Sequence, residues 1–263
     1  MSSTILDRIV EGVRKRLAAD PAPGDLEERA LQAVAERRRT GGRSLRAALA
    51  VDGPAVIAEC KRASPSAGVL CGDFDATVLA VAYARAGAAA ISVVTERDHF
   101  LGDPRWIGSI RRLVALPVLR KDFIFCRRQL LETVLLGADA VLLISRILDD
   151  RSLADLLAAA DELDLEVLLE VFADEDPKRA VASGADVIGV NARDLASFEV
   201  DLERAAFLAA AIPSDRIRVA ESGVRGRPDV ELLSRAGYDA FLVGEHLVRA
   251  ADPGLALAEL LGR

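Results

Sequence analysis

Several residue types are scarce in this 263-residue chain, and each scarcity excludes a class of protein. Aromatic residues make up only 4% of the sequence, so aliphatic side chains must fill the core. Basic residues are outnumbered, since 34 Lys and Arg stand against 41 Asp and Glu and give a net charge of -7. An acidic chain is a poor general binder of nucleic acid or of membrane surfaces, so we expect neither partner.

Cysteine and histidine are also sparse, with three and two residues. Cys60, Cys71 and Cys126 form no Cys-x-x-Cys pair. His99 and His246 lack the spacing of metal ligands, and we expect both to be ordinary surface or loop residues. The sequence therefore predicts reduced thiols in a cytoplasmic protein that holds no metal.

Long apolar runs are missing as well. No stretch approaches the ~18 uninterrupted apolar residues of a membrane-spanning helix. Residues 1–8 also lack the apolar centre of a signal peptide. The chain is therefore expected to stay in the cytoplasm, without membrane partners.

What the sequence does contain is a repeated phrase, in which a glycine precedes a near-continuous apolar run. The phrase appears at residues 85–94, 136–144, 183–190 and 236–243. Each copy predicts a helix that ends at a left-handed glycine, followed by a strand buried on both faces. Four further apolar runs lie at 55–59, 117–120, 166–171 and 217–220. Together they give eight strand candidates, and a helical pattern follows each one.

Strict alternation of strands and helices demands a parallel sheet. Eight such units predict an α/β protein with a single closed (βα)8 TIM barrel over residues 51–263. An open doubly wound sheet is the weaker alternative, because no Gly-x-Gly-x-x-Gly follows the first strand. Residues 1–50 precede that strand and have a helical pattern. We predict that they form an N-terminal helical extension that partly caps the barrel.

Catalytic residues of such barrels lie at the carboxyl ends of the strands. Because residues i and i+2 of a strand share a face, Glu59 and Lys61 should enter one pocket while Cys60 points away. Parity also aligns polar residues at later strand ends, so that three Glu and two Lys converge on one rim. Such a cluster separates pKa values and can supply both an acid and a base. The predicted catalytic residues are Glu59, Lys61, Lys121, Glu170, Asn191 and Glu221.

The loops after the seventh and eighth strands predict a phosphate site. Gly223 and Gly244 let backbone N–H groups approach an anion closely, and a following helix start adds its dipole. Either Arg193 or Lys61 would supply the countercharge. The predicted loop contacts to phosphate are Ser222, Gly223, Gly244 and Glu245. The expected partner is thus a small phosphorylated molecule.

Six segments at the strand ends carry a further pattern. They are ECKRASPS at 59–66, SVVTE at 92–96, PVLRKDFI at 117–124, NARDL at 191–195, AESGV at 220–224 and LVGE at 242–245. In this order they resemble the signature segments of the indole-3-glycerol-phosphate synthase family, and residues 1–50 resemble that family's helical extension. The resemblance covers nearly the whole chain, and the segments at 59–66 and 117–124 are the most specific.

The resemblance implies a lyase of tryptophan biosynthesis that uses no cofactor. Its substrate would be 1-(2-carboxyphenylamino)-1-deoxyribulose 5-phosphate, and its reaction closes the indole ring with release of carbon dioxide and water. Lys121 would then be the acid that protonates the developing alkoxide. Glu170 and Glu59 compete as the acid or base of dehydration, while Asn191 and Glu221 would orient hydroxyls and the catalytic carboxylate.

The same resemblance implies the binding residues. Lys61 would hold the substrate carboxylate or phosphate, and Phe100 and Phe123 would pack against the anthranilate ring. Ser64, in the loop after the first strand, joins the binding set. The chain departs from the usual family pattern at Cys71 and Ala192, where Arg and Asn are frequent. These changes predict an altered loop after the first strand and a looser loop after the sixth.

Two alternatives stay open at this point. Phosphoribosylanthranilate isomerase is also a phosphate-binding barrel, and its family resembles a chain with a catalytic cysteine where Cys60 stands. Parity argues against it, because Cys60 should face away from the pocket. A phosphate-binding barrel without activity, which acts as an assembly partner, is the other alternative. We expect a monomer or a weak homodimer.

Overall fold

The computed structural model describes residues 4–173, 175–194 and 199–263. Within them, eight parallel strands close into a barrel in which each strand pairs with the next and the last pairs with the first. The strands are β1 (Ala55–Cys60), β2 (Ala90–Val94), β3 (Val118–Lys121), β4 (Ala140–Ile144), β5 (Glu166–Val171), β6 (Val187–Asn191), β7 (Ile217–Glu221) and β8 (Ala240–Val243). The predicted (βα)8 barrel is confirmed.

Helices cover the outside of the barrel and precede its first strand. They are α1 (Ile5–Ala19), α2 (Leu26–Thr40), α3 (Leu45–Leu49), α4 (Ala76–Ala86), α5 (Arg105–Leu113), α6 (Arg127–Leu136), α7 (Asp150–Glu162), α8 (Asp176–Ala182), α9 (Leu202–Ala209), α10 (Arg227–Arg235), α11 (Glu245–Arg249) and α12 (Pro253–Leu261). The glycine of every repeated phrase has a positive φ, as predicted for helix ends. No helix of the described residues is long and apolar enough to cross a membrane.

Besides a 3-10 turn at Ser145–Ile147 after β4, two further short elements were not predicted from the sequence. One is α11, which has five residues and directly follows β8. The other is a small antiparallel hairpin in the loop after β1, formed by Ala63–Ser64 and Gly68–Val69. Neither is long enough to display a helical or strand period, so hydrophobic pattern alone does not reveal them.

Strand parity divides the core into two layers. Side chains such as Ile57, Leu119 and Leu168 fill the inside of the barrel. The alternate residues face the surrounding helices, and Cys60 is among them. Its thiol is fully buried and donates a hydrogen bond to the Ala76 carbonyl at 3.6 Å. The predicted outward orientation of Cys60 is therefore confirmed.

The three helices before β1 reach both ends of the barrel. Leu45 and Leu49 of α3 are fully buried in the interior cluster. Glu166, the first residue of β5, accepts hydrogen bonds from the Ser44 hydroxyl at 2.6 Å and the Arg46 N–H at 2.7 Å. Thus α3 closes the amino end, while α1 lies over the carboxyl end. The boundary at residue 50 between a capping extension and the barrel domain stays a prediction.

Candidate active site

A cavity of about 690 Å³ opens at the carboxyl ends of the strands, within the size range of small-molecule sites. All fourteen residues proposed from the sequence line it. The side chains of a parallel barrel converge here because every strand ends at the same rim. The fold thus unites positions that are up to about 190 residues apart in the chain.

Lys121 lies at the centre of a buried charged cluster. Its Nζ is 3.4 Å from Glu170 Oε2, 3.5 Å from Glu221 Oε2 and 3.9 Å from Glu59 Oε2. Lys61 Nζ adds a contact of 2.7 Å to Glu59 Oε1. The three carboxyl groups are each at most 3% exposed. The cluster that parity predicts is therefore present, with Lys121 in contact with all three acids.

The carboxyl groups of this cluster differ in their proton affinity. Burial opposes ionisation of Glu59, but the nearby Lys61 and Lys121 outweigh it and lower the pKa of that carboxyl. Burial and the neighbouring Glu170 instead raise the pKa of Glu221 well above its usual range, against the weaker opposing effect of Lys121. At a pH at which Glu59 is already ionised, Glu221 therefore still holds its proton.

Lys121 is held as an ammonium ion. Burial alone would lower its pKa, but Glu170, Glu221 and Glu59 outweigh that cost and raise the pKa above its ordinary value. A charged donor in a buried site stabilises a developing anion strongly, because little water screens it.

Two glycines make room for the buried carboxyls, and each lies on or just after the strand that pairs with the strand of its carboxyl. A Cβ at Gly189 on β6 would collide with an oxygen of Glu221, and a Cβ at Gly244 would collide with an oxygen of Glu59. Sequence analysis missed Gly189 and treated Gly244 only as a phosphate contact. The need for glycine at these positions cannot be recognised from the local sequence, because it depends on which strands become neighbours in the barrel.

The loop after β7 has unusual backbone geometry. Ser222 and Gly223 both have positive φ angles, of 66° and 83°. This conformation is strained for Ser222, at a cost of ~1–3 kcal/mol, and such strain clusters at functional sites. A Cβ at Gly223 would also collide with the Val200 and Leu202 side chains. The tight turn brings this loop onto the cavity wall.

Basic side chains collect at the same side of the cavity. Arg193 lies 3.8 Å from a carboxyl oxygen of Glu245, and Arg249 lies 3.3 Å from the other. His246 lines the cavity from α11, contrary to the expectation that it is an ordinary surface or loop residue. Arg225, in the loop after β7, and Arg249, on α11, also line the cavity and were missed. For Arg249 the reason is that nothing in the sequence marks short α11 as a wall of the site.

Another part of the cavity lining is apolar. The Phe100 and Phe123 rings lie 6.1 Å apart between centroids, at 42°. Ile5, Leu6 and Ile9 of α1 complete this wall. Sequence analysis predicted a capping extension but did not identify these three residues, because an amphipathic pattern does not reveal which surface a helix covers.

The remaining predicted residues lie beside these walls. Ser64 is 9% exposed, and its hydroxyl accepts a hydrogen bond from the Ala67 N–H at 3.2 Å. Asn191 is paired with Glu221 in the β6–β7 register, and its Oδ1 accepts from the Arg193 N–H at 3.0 Å. Leu195, the last residue of one signature segment, lies outside the described residues.

Glu96 shapes the loop that carries Phe100. Its buried carboxylate accepts hydrogen bonds from the N–H groups of Asp98, His99 and Phe100 at 3.0, 2.7 and 3.0 Å. Arg16 of α1 lies 3.7 Å from Glu96 and donates to Asp98 at 2.8 Å. The capping helix and the aromatic wall are thus linked by charge.

The family model described as indole-3-glycerol phosphate synthase matches residues 6–260. The chain belongs to the indole-3-glycerol phosphate synthase family. The family member from Mycolicibacterium vanbaalenii is 46% identical over 260 residues, which cover 99% of this chain and 94% of that one. The member from Desulfotalea psychrophila is 44% identical, with 98% of each chain covered.

Solved structures extend the comparison to the fold. The 3-hexulose-6-phosphate synthase from Salmonella typhimurium superimposes with a TM-score of 0.64 over 79% of this chain and 97% of its own. At 18% identity this likeness concerns the barrel alone. The assignment to the indole-3-glycerol phosphate synthase family therefore depends on the sequence relatives.

Membership in this family agrees with the position of Cys60. Its thiol lies behind β1, towards α4, and burial raises its pKa, so it is neither in the cavity nor a ready thiolate. The isomerase alternative needs a cysteine inside the pocket and is wrong for this chain. Within the described residues, no three His, Cys, Asp or Glu side chains are arranged to hold a metal ion.

Proposed function

We propose that the chain is a carbon–carbon lyase that converts 1-(2-carboxyphenylamino)-1-deoxyribulose 5-phosphate to indole-3-glycerol phosphate, carbon dioxide and water. The observation that carries this proposal is the buried ammonium of Lys121, in contact with three carboxyl groups, of which Glu59 and Glu221 have pKa values shifted in opposite directions. Ring closure and dehydration need an acid and a base in one pocket, and this cluster supports both steps.

Ring closure forms a bond between the aromatic carbon that bears the carboxylate and the ribulose carbonyl carbon. The carbonyl π electrons move to oxygen, and Lys121 donates its proton to the resulting alkoxide. An alkoxide is a strong base, so a lysine with a raised pKa is still acidic enough to protonate it. The carboxylate then leaves as carbon dioxide, and its bonding electrons restore the aromatic ring.

Dehydration removes the new hydroxyl group together with a proton from the adjacent ring CH2 carbon, and the electrons of that C–H bond form the double bond of the indole ring. Glu221 retains a proton that, with Glu170 beside it, can leave with the hydroxyl as water. Glu59 is kept ionised by Lys61 and Lys121, which suits it to accept the proton from the ring CH2 carbon. The two neighbouring acids thus take opposite roles because their surroundings separate their pKa values.

The two walls of the cavity match the two ends of this substrate. Phe100 and Phe123 would pack against the anthranilate ring, and Lys61 would hold its carboxylate. The loops at Ser222–Gly223 and Gly244–Glu245 would bind the phosphate, with Arg193 as the countercharge. Ser64 would contact the substrate from the loop after β1, and Asn191 would orient a sugar hydroxyl.

Several wider properties belong to the same proposal. The partner is one small phosphorylated molecule, and we infer neither nucleic acid nor membrane as a further partner. We infer a cytoplasmic location and a monomer or weak homodimer. A phosphate-binding barrel without activity remains the competing proposal, and turnover of substrate decides between them.

The test is a continuous assay of indole fluorescence with the carboxyphenylamino substrate. Wild-type protein should give a signal, and Lys121→Ala should lower kcat by about 10²–10⁴-fold, because general acid catalysis is lost. Lys178→Ala is the matched control, since this lysine is exposed on α8. Absence of a wild-type signal would refute the proposed reaction, and an undiminished rate in Lys121→Ala would remove Lys121 as the acid.

A further inference from the structure

One outward-facing residue of the barrel is charged where its neighbours are apolar. Residues on this side of the strands pack against the helices, as Val93, Val118 and Val141 do. Arg120 occupies the same layer on β3 and is only 5% exposed. A buried guanidinium is costly unless its donors are paired, so this position calls for an explanation.

Arg120 is the centre of a buried polar network. Its guanidinium donates to the Asp122 carboxylate at 3.1 Å and the Thr95 hydroxyl at 3.3 Å. It also donates to the Gln129 carbonyl and the Thr133 hydroxyl, both at 3.0 Å. Thr95 in turn donates to Asp122 at 2.5 Å. The end of β2, the end of β3 and the start of α6 are thus joined behind the cavity.

The same network fixes the loop that follows β3. Asp122 accepts a hydrogen bond from the Phe123 N–H at 2.9 Å. Gln129 donates to the Phe123 carbonyl at 2.8 Å and accepts from the Phe125 N–H at 2.9 Å. Both backbone polar groups of Phe123 are therefore held. Lys121 lies between two members of the network, Arg120 and Asp122.

We propose that Arg120, Asp122 and Thr95 are positioning residues, which hold the end of β3 so that Lys121 reaches its three carboxyl partners and Phe123 stays on the cavity wall. This inference rests on the proposed function, in which Lys121 is the acid. Asp122 borders the cavity, but both of its oxygens already accept hydrogen bonds from the network. Its action on the reaction is therefore through Lys121.

Geometry explains why such support matters. Lysine is a point charge on a flexible four-carbon stem, so its position depends on a rigid backbone beneath it. A misplacement of about 1 Å in a catalytic group lowers a rate by about 10²-fold. Loss of the network should therefore reduce kcat by about 10–100-fold and raise KM by a smaller factor, because Phe123 depends on the network whereas the phosphate-binding loops do not.

The first test uses near-isosteric variants. Asp122→Asn removes the charge opposite Arg120, and Thr95→Val removes the bridging hydroxyl. Both should lower kcat by about 10–100-fold, and Thr95→Ser should recover the rate to within about threefold, since the hydroxyl is restored. Asp75→Asn is the control, because Asp75 caps α4 by accepting from the Thr77 and Val78 N–H groups and does not line the cavity.

Thermal unfolding is measured alongside the rates. Loss of kcat in Asp122→Asn beyond that of Asp75→Asn, at a similar unfolding temperature, supports positioning. An equal loss in both variants would overturn it. Should Asp122→Asn fail to fold, Thr95→Val decides, and an undiminished kcat in that variant overturns the proposal.

A double-mutant cycle with Lys121→Arg separates this inference from the proposed function. If the network acts through Lys121, Asp122→Asn should slow the Lys121→Arg enzyme much less than it slows the wild type. If Lys121→Arg is slow and the effects of Asp122→Asn and Lys121→Arg on kcat are fully additive, the positioning role is refuted while Lys121 remains the proposed acid. A wild-type rate in Lys121→Arg would instead refute the acid assignment, and positioning with it.

Discussion

At the amino end of the barrel, Leu45 and Leu49 of α3 fill the interior with fully buried aliphatic side chains. At the carboxyl end, the interior holds three carboxyl groups and two ammonium groups, and α1 lies above them. One N-terminal extension covers both ends, but apolar burial closes the first while the second leaves a cavity. The comparison separates residues that stabilise the barrel from residues that give it chemistry.

Polar contacts follow the same division. At the amino end, Glu166 accepts hydrogen bonds from the residues that begin α3. At the carboxyl end, Arg16 joins α1 to the Phe100 loop, and Arg128 donates to the Leu17 carbonyl at 2.9 Å. The contacts at the amino end hold α3 in the barrel opening. The contacts at the carboxyl end fix the cover of a site that must admit substrate.

The largest expected effect concerns the amino end. Leu49→Ala should reduce the free energy of unfolding by about 2–5 kcal/mol, because it leaves a cavity in the interior. The kcat of the folded protein should stay unchanged, as this residue is far from the cavity wall. Chemical denaturation and the fluorescence assay check the two statements.

Leu31→Ala is the matched control for that experiment. Leu31 lies on α2 and is 42% exposed, so its loss should cost no more than about 0.5 kcal/mol. A large fall in the kcat of folded Leu49→Ala protein would contradict the division between the two ends.

At the carboxyl end, Gly189→Ala should affect activity. The new Cβ would displace the Glu221 carboxyl, so kcat should fall by about 10–100-fold, in proportion to a misplaced catalytic group. Gly108→Ala is the control, since a Cβ there makes only ordinary contacts, with the Leu136 carbonyl of α6 and the Arg112 side chain. An unchanged kcat in Gly189→Ala would mean that Glu221 needs no fixed position.

The smallest expected effect concerns the link between α1 and the aromatic wall. Arg16→Gln should raise KM by about two- to fivefold, because partly exposed ion pairs contribute up to about 1 kcal/mol. Lys15→Gln should leave KM unchanged, as Lys15 is highly exposed and contacts only Glu11 of its own helix in the ion pairs described. An identical KM in both variants would show that the cover does not depend on this link.

Local pattern was enough to predict much of this molecule. The glycine phrases predicted strand and helix positions, and parity predicted that Glu59 and Lys61 meet while Cys60 turns away. These signals lie within a few residues of one another. The family resemblance supplied a substrate, which no spacing of residues could do.

Other features depend on tertiary neighbours and left no such pattern. Gly189 matters because β6 lies beside the Glu221 strand, and Ile5 matters because α1 covers the carboxyl end. In the sequence, Arg120 is only one of several charged residues in a signature segment. Its role becomes visible only with its buried partners. The short helix α11 places His246 and Arg249 at the cavity. It is too short to show a helical hydrophobic period in the sequence.

In the proposed reaction, unequal surroundings give two buried acids, Glu59 and Glu221, opposite roles beside Lys121. Because the pKa of Glu59 is lowered, its base form should be lost only in acid, below its ordinary range. Because the pKa of Glu221 is raised, its proton should survive to higher pH and its loss should give the basic limb. Lys121, with its raised pKa, would not titrate in that limb.

The most direct measurement is the pH profile of kcat/KM for the wild type and for Glu221→Gln. We expect a bell-shaped wild-type profile, since one group must be ionised and another protonated. In Glu221→Gln the rate should be lower and the basic limb should disappear, while the acidic limb remains. A basic limb that persists unchanged in Glu221→Gln would contradict the claim that this carboxyl supplies the proton.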